Sequence, residues 1–319
     1  MGGPPSGDGL VDYSRVYQRP ALPDHIRALY PFESKWAEIG GYTLHYIDEG
    51  PRDANAVVLL HGNPTWSFLY REIIPHVVGA GFRAIAPDYL GFGLSDKPTE
   101  EPVYAIEQHV GRLAGLLDHI GVNRAVLFCQ DWGGPIGMGT AIVRPRLLAG
   151  LVLANTFWGE ASQFQHSVPF WRALHGPVAG SLLLGRRGMF VNALKLSAPA
   201  DMPPAVWDAY TLPFCDAQSR MGTLAFPRAI SMGPGHPTQP LADAILAAMP
   251  KWDVPVRLVW GEADAVFPAT EMGAKFIEEL PRATMEHVRH IAGARHFVQE
   301  YAPTECAQAI FDVATEAFA

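Results

Sequence analysis

The chain has 319 residues, of which 49% are hydrophobic and 18% are charged, with a formal net charge of −8 at pH 7. This composition excludes a disordered chain and indicates a globular protein with a large buried core. The net negative charge, together with basic runs no longer than a pair, excludes the positively charged surface that nucleic-acid binding requires.

Residues 1–27 are predicted to form an N-terminal arm, because this stretch is rich in glycine, proline and aspartate. It lacks the charged and apolar regions of a signal peptide, and no apolar stretch of the chain reaches the ~18 residues that a membrane span needs. Three scattered cysteines, Cys129, Cys215 and Cys306, are too few for a disulfide framework or a zinc site. We therefore expect a cytoplasmic protein with no membrane partner.

Eight segments after the arm have the length and apolar pattern of β-strands, and several segments between them have the apolar period of helices. The predicted strands are residues 36–39, 42–47, 56–60, 82–86, 125–130, 148–154, 256–260 and 285–291, and the predicted helices are residues 67–78, 106–120, 135–143, 271–280 and 303–318. Their alternation predicts an α/β fold with a mostly parallel central sheet flanked by helices. Ligands of such sheets bind at the carboxyl ends of the strands.

One region interrupts the alternation of strands and helices. Residues 157–226 contain no strand pattern but are rich in proline, tryptophan and phenylalanine. About 70 residues are too many for a loop and few for an independent domain. We therefore predict a helical cap at 157–226, inserted into a main domain that consists of residues 28–156 and 227–319.

The most informative motif, Cys129–Gly134, stands where a buried strand turns into a helix and has Asp131 at its centre. It resembles the nucleophile elbow G-x-S-x-G of α/β-hydrolases, a strained turn that presents a side chain at the top of the sheet. No G-x-S-x-G occurs in the chain, so a serine esterase or lipase is not expected. Asp131 could instead only cap the following helix, but the partners of a catalytic residue also occur in the chain.

A candidate base follows the last predicted strand. In α/β-hydrolases the chain order is nucleophile, acid and histidine, so a late histidine is needed. His296 lies just beyond the strand, whereas His287 and His290 lie within it or at its end. We therefore assign the base to His296.

A candidate acid follows the strand at residues 256–260. Asp264 is preferred to Glu262, which is too close to the end of the strand. A second possible acid position follows the strand at residues 148–154, but Asn155 stands there and supplies no charge.

An aspartate at the elbow predicts displacement at a saturated carbon. Its carboxylate is already ionised at pH 7 and attacks without a base, forming an alkyl ester and expelling a leaving group. The base is needed only afterwards, to activate water against the ester. The positive end of the helix dipole also favours the carboxylate of Asp131.

Several longer segments match one family. They are YPFESKW (30–36), HYIDEG (45–50), HGNPTWSFLYR (61–71), PDYLGFGLSDKP (87–98), QDWGGP (130–135) and HFVQE (296–300). On these segments the sequence resembles the haloalkane dehalogenases of the α/β-hydrolase superfamily. The resemblance implies hydrolysis of small halogenated alkanes by water to an alcohol and a halide, without cofactor, oxygen or metal. It also implies Asp131 as nucleophile, His296 as base and Asp264 as acid.

A departing halide needs hydrogen-bond donors. The indole N–H of Trp132 and the side-chain amide of Asn63 supply them, and the backbone N–H groups of the same residues would form the oxyanion hole. An Asn–Trp pair with an acid at Asp264 resembles the third dehalogenase subfamily. The first subfamily takes a second tryptophan from the cap, for which Trp171 is a candidate; Trp171 as part of the cap core is an equal alternative.

The main alternative function is epoxide hydrolysis on the same fold. That chemistry uses two cap tyrosines, whereas Tyr210 is the one tyrosine between residues 157 and 226, and it uses an aromatic residue where Asn63 stands. A coelenterazine-type luciferase would carry its acid at Asn155. A non-catalytic binding protein on this fold would be expected to lack part of the triad.

Overall fold

The computed structural model describes residues 20–160 and 194–319, together with residues 173, 175, 176, 178, 180 and 192. Eight strands form one sheet in the order β1-β2-β4-β3-β5-β6-β7-β8. They are β1 (Lys35–Ile39), β2 (Tyr42–Glu49), β3 (Ala56–Leu60), β4 (Arg83–Pro87), β5 (Ala125–Asp131), β6 (Leu148–Thr156), β7 (Val256–Gly261) and β8 (Val288–Ile291). β2 runs antiparallel to its neighbours β1 and β4, and the other pairs are parallel. The predicted α/β fold with a mostly parallel sheet is confirmed.

Helices flank this sheet in two groups. They are α1 (Asp24–Leu29), α2 (Ile74–Gly79), α3 (Ile106–His119), α4 (Gly133–Val143), α5 (Pro204–Thr211), α6 (Met221–Ala229), α7 (Gln239–Ala248), α8 (Met272–Glu279), α9 (Val298–Tyr301) and α10 (Pro303–Ala317). One group centres on α4, which contacts β3, β5 and β6 as well as α3 and α7. The other centres on α10, which contacts β5, β6, β7 and α2. The central strands β3, β4 and β5 are buried along their whole length, as the continuous apolar run of β3 predicts for that strand.

The prediction of one helix at residues 67–78 is wrong in part. A short 3₁₀ helix at Ser67–Tyr70 precedes α2, which begins at Ile74. The N–H of Ser67 donates to the buried carboxylate of Asp88 at 2.8 Å, which ties the first turn to the end of β4. Pro75 stands in the first turn of α2, where its missing N–H costs no hydrogen bond. In a continuous helix at residues 67–78, Pro75 would stand in the interior and break the helix.

Three further predictions need adjustment. The strand predicted at residues 285–291 begins only at Val288, after a 3₁₀ turn at Met285–His287. Helix α7 was not predicted, although its proline start and its buried Ala242 and Ile245 are typical of a helix. α1 begins at Asp24, inside the range predicted as an arm, and its residue Ile26 is buried in the core.

The range predicted as a cap is described only in part. Its described elements include the helices α5 and α6 and no named strand. Trp171 lies outside the described residues. In the described part of the chain, no helix is long and apolar enough to cross a membrane.

Candidate active site

The turn between β5 and α4 holds Asp131 in a strained conformation. Asp131 has a φ of +52°, in the left-handed region that residues with a side chain rarely adopt. The hydroxyl of Thr156 donates to the Asp131 backbone carbonyl at 2.6 Å. A Cβ on Gly62 would overlap the Asp131 carboxylate, and one on Gly133 would overlap the backbone of Leu60. Small neighbours therefore let the strained elbow approach β3 closely.

The structure brings Asp131, His296 and Asp264 together at the carboxyl edge of the sheet. The Nδ1 atom of His296 lies 2.9 Å from Oδ2 of Asp264, and its Nε2 atom lies 3.3 Å from Oδ2 of Asp131. All three residues are buried. The imidazole thus stands between two carboxylates, an arrangement in which one carboxylate can orient the ring while the ring acts beside the other.

The competing candidates lie elsewhere. His287 contacts the backbone carbonyl of Arg282 through its Nδ1, and His290 is exposed on β8. Glu262 is exposed, whereas Asp264, two residues later, is buried beside His296.

Sequence reasoning missed the part that Asn155 takes in this site. The side-chain amide of Asn155 donates to Oδ2 of Asp264 at 2.6 Å, and its oxygen accepts the N–H of Gly261 at 3.0 Å. The N–H of Val266 donates to the other oxygen of Asp264 at 2.7 Å. Asn155 therefore orients the carboxylate of Asp264. The sequence signal that could have indicated this contact is the position of Asn155 at the end of β6, the strand that pairs with β7.

The charge of the imidazole follows from its two acidic neighbours. Burial lowers the pKa of His296, but the charge of Asp264 and the interactions with Asp131 outweigh burial and raise this pKa to about 10. At neutral pH His296 therefore carries a proton.

Asn63 contacts Asp131 through its backbone. Its N–H donates to Oδ1 of Asp131 at 2.6 Å, so one carboxylate oxygen is held by Asn63 and the other faces His296. The side-chain Nδ2 of Asn63 donates one hydrogen to the carbonyl of Thr223 in α6 at 3.3 Å. A side-chain amide has two N–H donors, so a second one remains for a ligand.

Trp132 follows Asp131 directly and caps the start of α4. Its ring is buried and packs edge-on against Phe157 with centroids 4.9 Å apart, and it also contacts Phe226 at 5.3 Å. These apolar neighbours fix the indole beside Asp131 and provide no charged group that would repel an anion.

His61 shapes the loop that carries Asn63. Its Nδ1 lies 2.8 Å from the carbonyl of Gly62, and its Nε2 accepts the N–H of Tyr89 at 3.1 Å. Burial lowers the pKa of His61, so the ring is neutral and its N–H donates to Gly62. The role of His61 is therefore to hold the loop.

Tyr210 does not present its hydroxyl for epoxide chemistry. The ring is buried, and the hydroxyl donates to the carboxylate of Glu300, which also accepts Arg71 at 2.6 and 2.8 Å. Burial raises the pKa of Tyr210 well above its usual value. Tyr210 anchors α5, and its hydroxyl is engaged with Glu300.

Comparisons with known proteins identify the family of this chain. Residues 55–303 match the family model described as alpha/beta hydrolase fold. The chain is 34% identical to haloalkane dehalogenase of Mycobacterium marinum, covering 88% of this chain and 93% of the relative. It is 36% identical to haloalkane dehalogenase 2 of Mycobacterium tuberculosis, covering 89% and 96%. The crystal structure of haloalkane dehalogenase DbeA from Bradyrhizobium elkani is similar with a TM-score of 0.78 and 30% identity, covering 89% of this chain and 99% of that one. The chain therefore belongs to the haloalkane dehalogenases, a family of α/β-hydrolases that act on carbon–halogen bonds.

Proposed function

We propose that this protein hydrolyses alkyl halides to an alcohol, a halide ion and a proton through an alkyl ester on Asp131. The observation that carries the proposal is the setting of the Asp131 carboxylate. One oxygen accepts the Asn63 N–H at 2.6 Å, and the other lies 3.3 Å from Nε2 of His296. Such a carboxylate is oriented for attack and lies close to a base that can act after it.

In the first step, Oδ2 of Asp131 attacks the carbon that bears the halogen. The new O–C bond forms while the C–X bond breaks, and the halide leaves with the electron pair. The second amide hydrogen of Asn63 and the indole N–H of Trp132 donate to the halide as its charge develops. The first step needs no base, so the proton on His296 does not prevent it.

Esterification removes the charge of Asp131 and so lowers the pKa of His296. The imidazole then releases its proton and becomes the base of the second step. It takes a proton from water, whose oxygen attacks the ester carbonyl carbon. The backbone N–H groups of Asn63 and Trp132 stabilise the oxyanion. Collapse of the intermediate expels the alkoxide, which takes the proton of the new carboxyl group, so that the alcohol leaves, the Asp131 carboxylate is restored and His296 stays protonated. Asp264 orients and stabilises the protonated imidazole.

Finer assignments rest on the same residues. The Asn63–Trp132 donor pair and an acid that follows β7 support our proposal that the protein is of the third dehalogenase subfamily, with Trp171 as the cap residue to test for a contact with the halide. We propose an N-terminal arm at residues 1–27, the end of which enters α1, a cap at residues 157–226 and a main domain formed by residues 28–156 and 227–319. The free thiols of Cys129, Cys215 and Cys306 favour a cytoplasmic location.

The test compares halide release from a bromoalkane with diol formation from an epoxide. We expect bromide and iodide release from short to medium alkyl halides, with a primary alcohol as the other product. EDTA should leave the rate unchanged, because neither step uses a metal ion. Diol formation without halide release, or loss of activity on chelation, would contradict the proposal.

A further inference from the structure

Gln130 is a buried amide beside the catalytic histidine that the reaction scheme above does not use. It precedes Asp131 in β5 and is fully buried. Its Nε2 lies 3.1 Å from Nε2 of His296 and donates to the backbone carbonyl of His296 at 3.3 Å. Its Oε1 is buried without a hydrogen-bond partner among the described residues. A buried unpaired amide oxygen is destabilising, so its presence requires an explanation.

The hydrogen bond to the carbonyl fixes the orientation of the amide. A carbonyl oxygen only accepts, so the group of Gln130 that faces His296 must be the NH₂. An NH₂ group cannot accept a proton from an imidazolium. The contact at 3.1 Å is therefore favourable only when Nε2 of His296 is unprotonated.

Nε2 of His296 thus faces one acceptor and one donor. When the ring is protonated, Nε2 donates to Oδ2 of Asp131 at 3.3 Å. When the ring is neutral, Nε2 accepts from Gln130 while Nδ1 donates to Asp264 at 2.9 Å. Among the described residues, the ionisable groups that interact with this imidazole are Asp131 and Asp264. After Asp131 becomes an ester, Asp264 alone favours the protonated ring.

We propose, on the basis of the proposed function, that Gln130 is a positioning residue for ester hydrolysis. Its amide N–H bonds to Nε2 of neutral His296 after Asp131 has been alkylated, which offsets the effect of Asp264 and keeps the imidazole in its basic form. The first half-reaction does not depend on Gln130, because Asp131 attacks without a base.

The test is the pH profile of ester hydrolysis in Gln130→Met, measured in single-turnover experiments with a bromoalkane. This variant removes the amide at nearly constant length. The acid limb of the pH profile for ester hydrolysis should move to higher pH by about 0.5–1 unit, because one hydrogen bond to the neutral form of His296 is lost. At the foot of the limb this corresponds to hydrolysis slower by about 3–10-fold, while the limiting rate at high pH and the rate of halide release are retained.

Two further variants, a charged substitution and a control, test the same proposal. Gln130→Glu places a carboxylate beside Nε2 and should move the limb further, by about 1–3 units. Gln299→Met is the matched control, because this glutamine is also buried and lies three residues after His296 in the chain. It should retain the pH profile of the unmodified protein.

The outcomes distinguish the two proposals. The initial burst of halide counts the folded active sites of each variant, so Gln130→Glu carries the test if Gln130→Met does not fold. A normal burst with an unshifted acid limb would overturn the role of Gln130 alone. Faster hydrolysis at every pH would also overturn it, because the amide would then only obstruct water. No halide release from the unmodified protein would overturn the proposed function and this inference together.

Discussion

An aspartate and a serine at a nucleophile elbow differ in when they need the base. A serine requires a neutral histidine before it attacks, whereas a carboxylate attacks directly. Interactions with Asp264 and Asp131 raise the pKa of His296 to about 10 despite its burial. A protonated histidine would silence a serine elbow at neutral pH but leaves Asp131 active. The charge state of His296 and the identity of residue 131 are therefore consistent with each other.

This charge state predicts when the proton leaves the protein. At pH 8, below the pKa of about 10 for the resting His296, esterification of Asp131 lowers the pKa and releases one proton. In a single turnover followed with a pH indicator, proton release should accompany halide release. Proton release that accompanies alcohol formation would show that the resting imidazole is neutral.

The two halide donors should matter for turnover and not for folding. Asn63→Ala and Trp132→Phe each remove one N–H donor to the leaving group, and loss of a preorganised donor typically lowers kcat by about 10²–10³-fold. Trp252→Phe is the control, because Trp252 precedes β7 at the opposite edge of the sheet. Steady-state kinetics on a bromoalkane measure the effect. Full activity of both Asn63→Ala and Trp132→Phe would refute the halide site.

At the scale of elements, a buried ion pair connects three parts of the chain near the site. Arg71, after β3, makes two hydrogen bonds with Glu300 in α9, and Tyr210 in α5 donates to the same carboxylate. The side chains of Arg71 and Glu300 are each 6% exposed. Because α9 follows His296 directly, this network holds both α5 and the segment that carries the base.

Breaking this pair should destabilise the protein strongly. Arg71→Met leaves the Glu300 carboxylate buried without its cation, which typically costs about 3–5 kcal/mol of the free energy of unfolding. Arg289→Met is the matched control, since the pair of Arg289 with Asp312 is about one third exposed and should contribute less than about 1 kcal/mol. Urea denaturation compares the two. Equal losses would show that the Arg71 pair is not a structural anchor.

The elements were predictable where one physical signal dominated. The apolar runs of β3 and β5 identify buried strands without help from the rest of the fold. The segment at residues 67–78 could not be read in the same way, because a long-range bond from Ser67 to Asp88 and the position of Pro75 decide where its helix begins.

At the scale of the whole molecule, the parallel sheet explains why distant residues form one site. Asp131 is the last residue of β5, and Asp264 and His296 follow β7 and β8; the carboxyl ends of these three strands lie at one edge of the sheet. Chain order and strand ends were therefore enough to predict that they converge. The contributions of Asn155 and Gln130 were not predictable, because they depend on side-chain hydrogen bonds of 2.6 and 3.1 Å that no pattern encodes.

The raised pKa of His296 also predicts how stability depends on pH. The pKa rises from the ordinary value of 6.5 to about 10 on folding, so the folded state binds the proton more tightly. This contribution is full below pH 6.5 and is lost as the pH rises towards about 10. The difference in free energy of unfolding between the unmodified protein and His296→Gln should therefore shrink over this range. A difference that is constant or grows with pH would contradict the assigned charge.

The central claim is that Asp131 attacks without a base and His296 acts only on the ester. The most direct measurement is intact-mass spectrometry of His296→Gln after incubation with a bromoalkane, combined with a count of bromide released. We expect about one bromide per active site and then a stall, with the protein heavier by one alkyl group on the peptide that contains Asp131. Asp131→Ala should show neither burst nor adduct. Continued turnover by His296→Gln, or an adduct on another residue, would contradict the account.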